Sequence, residues 1–180
     1  MRAQIRTEIE GIVPFDDIEA SNKSAAINWI DTGTDLCRLR KPDFPPKHLI
    51  VYFVVVDGDH ILLVDHINAR LWLPTGGHVD PGEHPRSAVI REAVEELGVT
   101  ADFATEAPIF LSIIDTVGKT GGHTDVALWY VLKGRRDQSF DFDGSEFHRL
   151  KWYHRNDVPL ARADAQMGRF LDKYFGSATP

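Results

Sequence analysis

The chain has 180 residues, a formal net charge of −7, 43% hydrophobic residues and 26% charged ones. That length suits one domain with a proper core and a small extension, and the acidic balance argues against sequence-independent binding to a nucleic-acid backbone. No apolar run approaches the roughly eighteen residues of a membrane span, the N-terminal MRAQIRTEIEG lacks an apolar signal segment, and one cysteine, Cys37, excludes an intrachain disulfide.

A cytoplasmic protein is therefore expected, with Cys37 as a small hydrophobe. Residues 1–46 read as an extension and 47–180 as the main domain. In the extension, Phe15-Asp16-Asp17 opens a helix that runs to Asp31, with Ile18, Ala25, Ala26, Trp29 and Ile30 as a partial apolar stripe. Arg38-Leu39-Arg40-Lys41 is a short basic cluster, and Pro42, Pro45 and Pro46 mark an extended linker. Packing on the core and a homodimer contact are both open to this segment.

Leu49 to Asp57 is a nearly continuous β-branched and aromatic run, the mark of a buried strand. Asp57-Gly58-Asp59 turns it into a returning strand, His60 to His66. Trp72-Leu73-Pro74 leads into a Gly76-Gly77 loop. Pro85 suits a first helical turn and Gly98 a C-cap, so Arg86 to Leu97 reads as about three turns of helix. Ile109–Val117 and Thr124–Leu132 are two further strands joined by Gly118–His123. Phe147–Tyr153 is another, entered by the acidic loop Phe140–Glu146, and a helix from about Arg162 to Phe175 closes the chain. Strands, helix, strands, helix suggest an α/β sandwich on a mixed sheet.

The chemistry concentrates on the helix after Pro85. Val89, Ile90, Ala93, Val94 and Leu97 fall on one arc, which reads as the buried stripe. Glu92, Glu95 and Glu96 fall on the neighbouring arc, where like charges repel by roughly a few tenths of a kcal/mol per pair. A divalent cation reverses that sign, and carboxylate oxygens suit Mg²⁺ or Mn²⁺. Taken alone, EAVEE reads better as a solvated helix face.

The wider spacing decides between the two. Gly77, five residues, Glu83, seven residues, then Arg91-Glu92-Ala93-Val94-Glu95-Glu96-Leu97-Gly98-Val99 matches the Nudix signature throughout. Ordinary residue frequencies give such a match by chance less than about once in a million. The chain thus resembles the Nudix (MutT-like) hydrolases, most strongly over residues 48–159. The resemblance implies a Nudix-type α/β/α sandwich around a mixed β-sheet, and it says little about the N-terminal helical extension. It also implies metal-dependent hydrolysis of a nucleoside diphosphate linked to another group, by water attack at phosphorus. A nucleoside triphosphate, oxidised or not, and a nucleotide sugar such as ADP-ribose are both open as substrates. The expected partner is a nucleotide-type small molecule, with no nucleic-acid polymer and no membrane.

Carried over by position, Glu92, Glu95, Glu96 and the Gly77 carbonyl are implied as ligands of Mg²⁺ or Mn²⁺, with Glu92 activating the water. Glu83 and Arg91 are implied as the pair tying loop to helix, for which a planar guanidinium suits a carboxylate. Glu146 is a candidate catalytic or metal-binding group, against the alternative of a solvated loop glutamate; Asp115 and Asp125 are alternative bases. Arg70, His66, His78, His123 and Asp125 are candidates for substrate contact, while Trp72 and Trp129 suit core packing better than base stacking. A non-catalytic nucleotide-binding protein on the same fold is the competing reading; an isomerase of the isopentenyl diphosphate type is remote, since Cys37 precedes the main strands.

Overall fold

The structure, a computed structural model, describes residues 1–41, 43–116 and 122–176. Pro42 of the expected linker, Val117 of the expected strand and residues 118–121 of its following loop lie outside the described residues.

β1 (Lys47–Asp57) is the centre of the sheet. Its odd-numbered Leu49, Val51, Phe53 and Val55 enter one hydrophobic cluster and its even-numbered Ile50, Val54 and Val56 the other. The side-chain period of two thus explains why the run is apolar at both parities: both faces are covered. β2 (His60–His66) returns antiparallel, and β6 (Thr124–Lys133) lies parallel along the opposite edge of β1. β3 (Trp72–Leu73) and β7 (Phe147–His154) pair with β2, and β5 (Phe110–Asp115) pairs with β6. The segment expected as a Gly76-Gly77 loop is instead a strand, β4 (Thr75–His78), antiparallel to Ile50–Phe53 of β1. Seven strands form one mixed sheet.

α1 (Arg2–Gly11), α2 (Asp17–Asp31) and α3 (Pro85–Leu97) cover one face, and α4 (Met167–Gly176) covers the other. This is the expected α/β/α sandwich. The sequence reading did not include α1, which buries Ile5 and Ile9 one turn apart. In α2, Asp16 caps the N-terminus by accepting from the Glu19 N–H. Ala26 and Ile30 are buried as the stripe required, but Ile18 and Ala25 face solvent, and Glu19 is buried in their place.

Glu19 explains that rotation. Its carboxylate accepts from Lys173 Nζ at 2.8 and 3.0 Å, from the Leu111 N–H of the edge strand β5 at 3.1 Å and from the Phe15 N–H at 2.7 Å. With the Asp16–Arg169 pair, α2 wraps the β5 edge and is strapped to α4. A covered edge cannot template further strand pairing. The closing helix begins at Met167, later than expected, because Ala163 bridges to Trp72 and the Asp164 N–H bonds the Trp72 carbonyl, holding that stretch extended. Among the described residues no helix is long and apolar enough to cross a membrane.

Candidate active site

β4 and α3 together build the site. Pro85 opens α3, the His84 ring caps it by accepting from the Arg86 N–H, and Gly98, at φ 65°, ends it in the left-handed region. The buried face is Pro85, Ala88, Val89, Ala93, Glu96 and Leu97. Ile90 and Val94, expected in the stripe, are 45% and 55% exposed. The helix is turned by roughly a quarter-turn from that expectation, at 100° per residue. This rotation directs Glu92 and Glu96 at β4, where two glycines receive them.

Successive β4 residues point to opposite faces, and Gly77 points at α3. A β-carbon there would lie 2.1 Å from Glu92 Oε1, so only glycine admits the carboxylate. A β-carbon on Gly76 would meet the Val51 carbonyl at 2.0 Å, and the Gly76 N–H donates to Glu96 Oε2 at 2.9 Å.

Arg91 organises the rest. Its Nε and Nη2 grip Glu83 at 3.0 and 2.9 Å, and Nη2 also donates to the His78 carbonyl at 2.9 Å. Nη1 reaches Glu92 at 2.7 Å and Glu95 at 3.2 Å. Burial works against the Glu83 charge, but Arg91 and the Asp80 N–H hold its pKa below the usual value. Glu92 and Glu96 behave oppositely. Burial, then the charges of Glu95 and Glu146, raise the Glu92 pKa despite Arg91. Burial, with Glu92, Glu146 and Asp143, pushes Glu96 up to about 9 against the Gly76 N–H. Buried carboxylates crowded in this way call for a cation, and an all-oxygen donor set fits a hard divalent ion. Glu95 is the exposed member of the three.

The acidic loop docks on the end of α3: the Asp141 and Asp143 N–H groups donate to the Leu97 and Glu96 carbonyls at 3.1 and 3.2 Å. This brings the exposed Glu146 close enough for its charge to act on both Glu92 and Glu96. His66 faces the same glutamate; burial lowers its pKa and Glu146 opposes the shift. A register shift between Val64 and His66 marks an irregularity where β2 meets β7, a device that re-aims side chains beside sites.

The remaining candidates separate. Arg70 is exposed in a turn at φ 58°, its carbonyl bonded by Arg162. Asp115 ends β5 and accepts from Thr124 Oγ1 at 2.7 Å. Trp72 and Trp129 are buried in the core. His78, His123 and Asp125 join a cluster with His48 and Asp43, two residues absent from the sequence reading. Burial and the nearby Arg38 and histidine charges push His78 down to about 3. Asp164, also absent from that reading, is buried and pushed up to about 6 by burial and Asp125. His48 and Asp125 are register partners across the β1–β6 pairing, which nothing local in the sequence reveals.

Comparison with known proteins assigns the chain to a family. The NUDIX domain family model matches residues 46–174. "Uncharacterized Nudix hydrolase YvcI" of Bacillus subtilis (strain 168) is 30% identical over 125 residues, covering 67% of this chain and 76% of its own. A second protein of that organism, "Putative 8-oxo-dGTP diphosphatase", is 38% identical over 110 residues, 60% of this chain and 68% of its own. The crystal structure of a MutT NUDIX hydrolase from Burkholderia pseudomallei superposes with a TM-score of 0.58 at 25% identity, covering 71% of this chain and 98% of that one. The chain belongs to the NUDIX family and is a MutT-like Nudix hydrolase.

Proposed function

We propose that this Nudix hydrolase cleaves a nucleoside triphosphate, oxidised purine forms included, to the monophosphate and pyrophosphate with Mg²⁺ or Mn²⁺. The observation that carries the reading is the convergence of Glu92 and Glu96 on the Gly76-Gly77 backbone, with the charge of Glu146 acting on both. Glu92, Glu95, Glu96, Glu146 and the Gly77 carbonyl would hold the cation. When bound, the cation supplies charge neutralisation at the phosphate oxygens and Lewis-acid activation.

The chain's own residues do the rest. Glu92 takes the proton from the attacking water, its carboxylate held in place by Arg91 at 2.7 Å. Arg91 fixes Glu83 and the His78 carbonyl, so the loop and helix keep one geometry through the reaction. Water attacks phosphorus, the anhydride oxygen leaves with the pyrophosphate, and the proton departs through Glu92.

The triphosphate, rather than a nucleotide sugar, is favoured by the similarity to the protein described as an 8-oxo-dGTP diphosphatase. Product analysis tests this. Turnover of triphosphates should yield phosphate only after inorganic pyrophosphatase is added. Turnover confined to ADP-ribose or another nucleotide sugar, with phosphate released by alkaline phosphatase alone, would overturn the substrate assignment.

A further inference from the structure

Outside the carboxylate site, one rim of the sheet gathers histidines. β4 and β6 flank β1 on its two edges, and their ends bring His78 and His123 to either side of His48. Ring centroids lie 5.0 Å apart for His48–His78, 4.9 Å for His48–His123 and 6.4 Å for His78–His123. His78 opposes Ile50, which packs toward α4, so these rings share the face away from α3. Asp43, from the turn before β1, reaches the same point. One ligand atom from each of Asp43, His48, His78 and His123 lies within 4.8 Å of the others.

The hydrogen bonding of this cluster is incomplete in a specific way. Among the described residues, the buried side-chain atoms without a partner are His48 Nε2, His78 Nε2 and Asp125 Oδ1. All three belong here. His48 is fully buried, and its Nδ1 lies 2.9 Å from the Pro45 carbonyl, to which it donates. That bond places a ring proton on Nδ1, so that in the neutral ring Nε2 is the lone pair open to a metal, the arrangement by which an outer partner orients a metal-binding histidine. A buried polar atom without a hydrogen-bond partner carries its full desolvation cost. Asp125 Oδ1 is 3.4 Å from His48 Nε2 and 3.2 Å from His123 Nε2.

We propose that Asp43, His48, His78 and His123 form a second cation site, separate from the glutamates of α3, that takes Zn²⁺ as a structural ion. Three imidazoles and one carboxylate suit a borderline transition metal over Mg²⁺. Bonds of about 2.0–2.1 Å set tetrahedral ligands about 3.4 Å apart, so the observed cluster closes on the ion through side-chain rotation. Four protein ligands complete the shell, which makes the site closed and structural. Asp125, 3.2 Å from His123 Nε2, would hold that ring as an outer carboxylate while His123 Nδ1, 3.3 Å from Asp43, turns to the ion. The ion would tie the segment before β1 to the ends of β4 and β6, directly beside the Gly76-Gly77 strand.

The test is metal content and spectroscopy on the full chain, loaded with Zn²⁺ or Co²⁺ and gel-filtered. Wild type should retain one Zn²⁺, and its Co²⁺ form should show the strong visible d–d bands of a tetrahedral site. Glu95→Gln/Glu96→Gln should keep both. Asp43→Asn and His123→Asn, at positions less deeply buried than His48, should bind Zn²⁺ more weakly by more than the roughly ten- to hundredfold that outer-shell losses cost. Sub-stoichiometric Zn²⁺ in wild type, weak octahedral Co²⁺ bands, or loss of the ion in the glutamate variant with retention in the histidine variant would each overturn the proposal. The cluster would then be a proton-sharing histidine–aspartate network.

Discussion

The Glu92 carboxylate occupies the space that a side chain on Gly77 would need: Oε1 lies 2.1 Å from the position of a β-carbon there. Gly77→Ala should therefore displace Glu92 and leave the strand pairing of β4 intact. A displacement near an ångström lowers turnover by about a hundredfold. Steady-state kinetics beside a circular-dichroism melt checks this; unchanged kcat would show that the Glu92 position is not critical.

Arg91 holds Glu83 through two parallel bonds and the His78 carbonyl through a third. Lysine keeps the charge but loses the fork. Arg91→Lys should raise the Mg²⁺ concentration for half-maximal activity by about ten- to hundredfold, the range for outer-shell partners. A Mg²⁺ titration of initial rates measures it, and an unshifted midpoint counts against the role given to Arg91.

Glu19 is fully buried and paired with Lys173. Glu19→Gln removes the charge that Lys173 pairs with and one charged acceptor of the Leu111 and Phe15 N–H groups, and breaking a buried pair costs up to about 3–5 kcal/mol. Glu19→Gln should lower stability toward that range in urea unfolding, with turnover per folded molecule preserved. A change under about 1 kcal/mol would place the pair among surface ion pairs.

Asp16 gives the strap a pH signature. Hydrogen bonds from Arg169, then from the Glu19 N–H, lower its pKa from 3.8 to about 2. Because the folded value is the lower one, the stabilisation is present above about 4 and is lost as pH falls through about 2. The pair is partly solvated, which limits the effect to at most about 1 kcal/mol. Asp16→Asn should flatten that part of the stability curve; identical acid transitions for the two proteins would refute it.

Features encoded locally were legible in the sequence. The β1–β2 hairpin follows from an apolar run, Asp57-Gly58-Asp59 and a second run. The α3 boundaries follow from Pro85 and Gly98, and spacing alone puts Glu92, Glu95 and Glu96 within a turn. The rotation of α3 was not legible, since Ile90 and Val94 are as apolar as Val89; what turns them outward is the pull of Glu92 and Glu96 toward two glycines on another element. The His48–Asp125 contact depends on a parallel pairing between strands far apart in the chain. The start of α4 depends on Trp72, which also lies far from it in sequence.

The central claim is that the glutamates of α3 hold a catalytic divalent cation. The most direct measurement is pyrophosphate release from a nucleoside triphosphate panel by wild type and by Glu95→Gln/Glu96→Gln, each with Mg²⁺ and with EDTA. The account predicts turnover by wild type with Mg²⁺, its abolition by EDTA and a loss of orders of magnitude in the variant, with unchanged circular dichroism. Full activity of the variant, or wild-type turnover indifferent to EDTA, would contradict it.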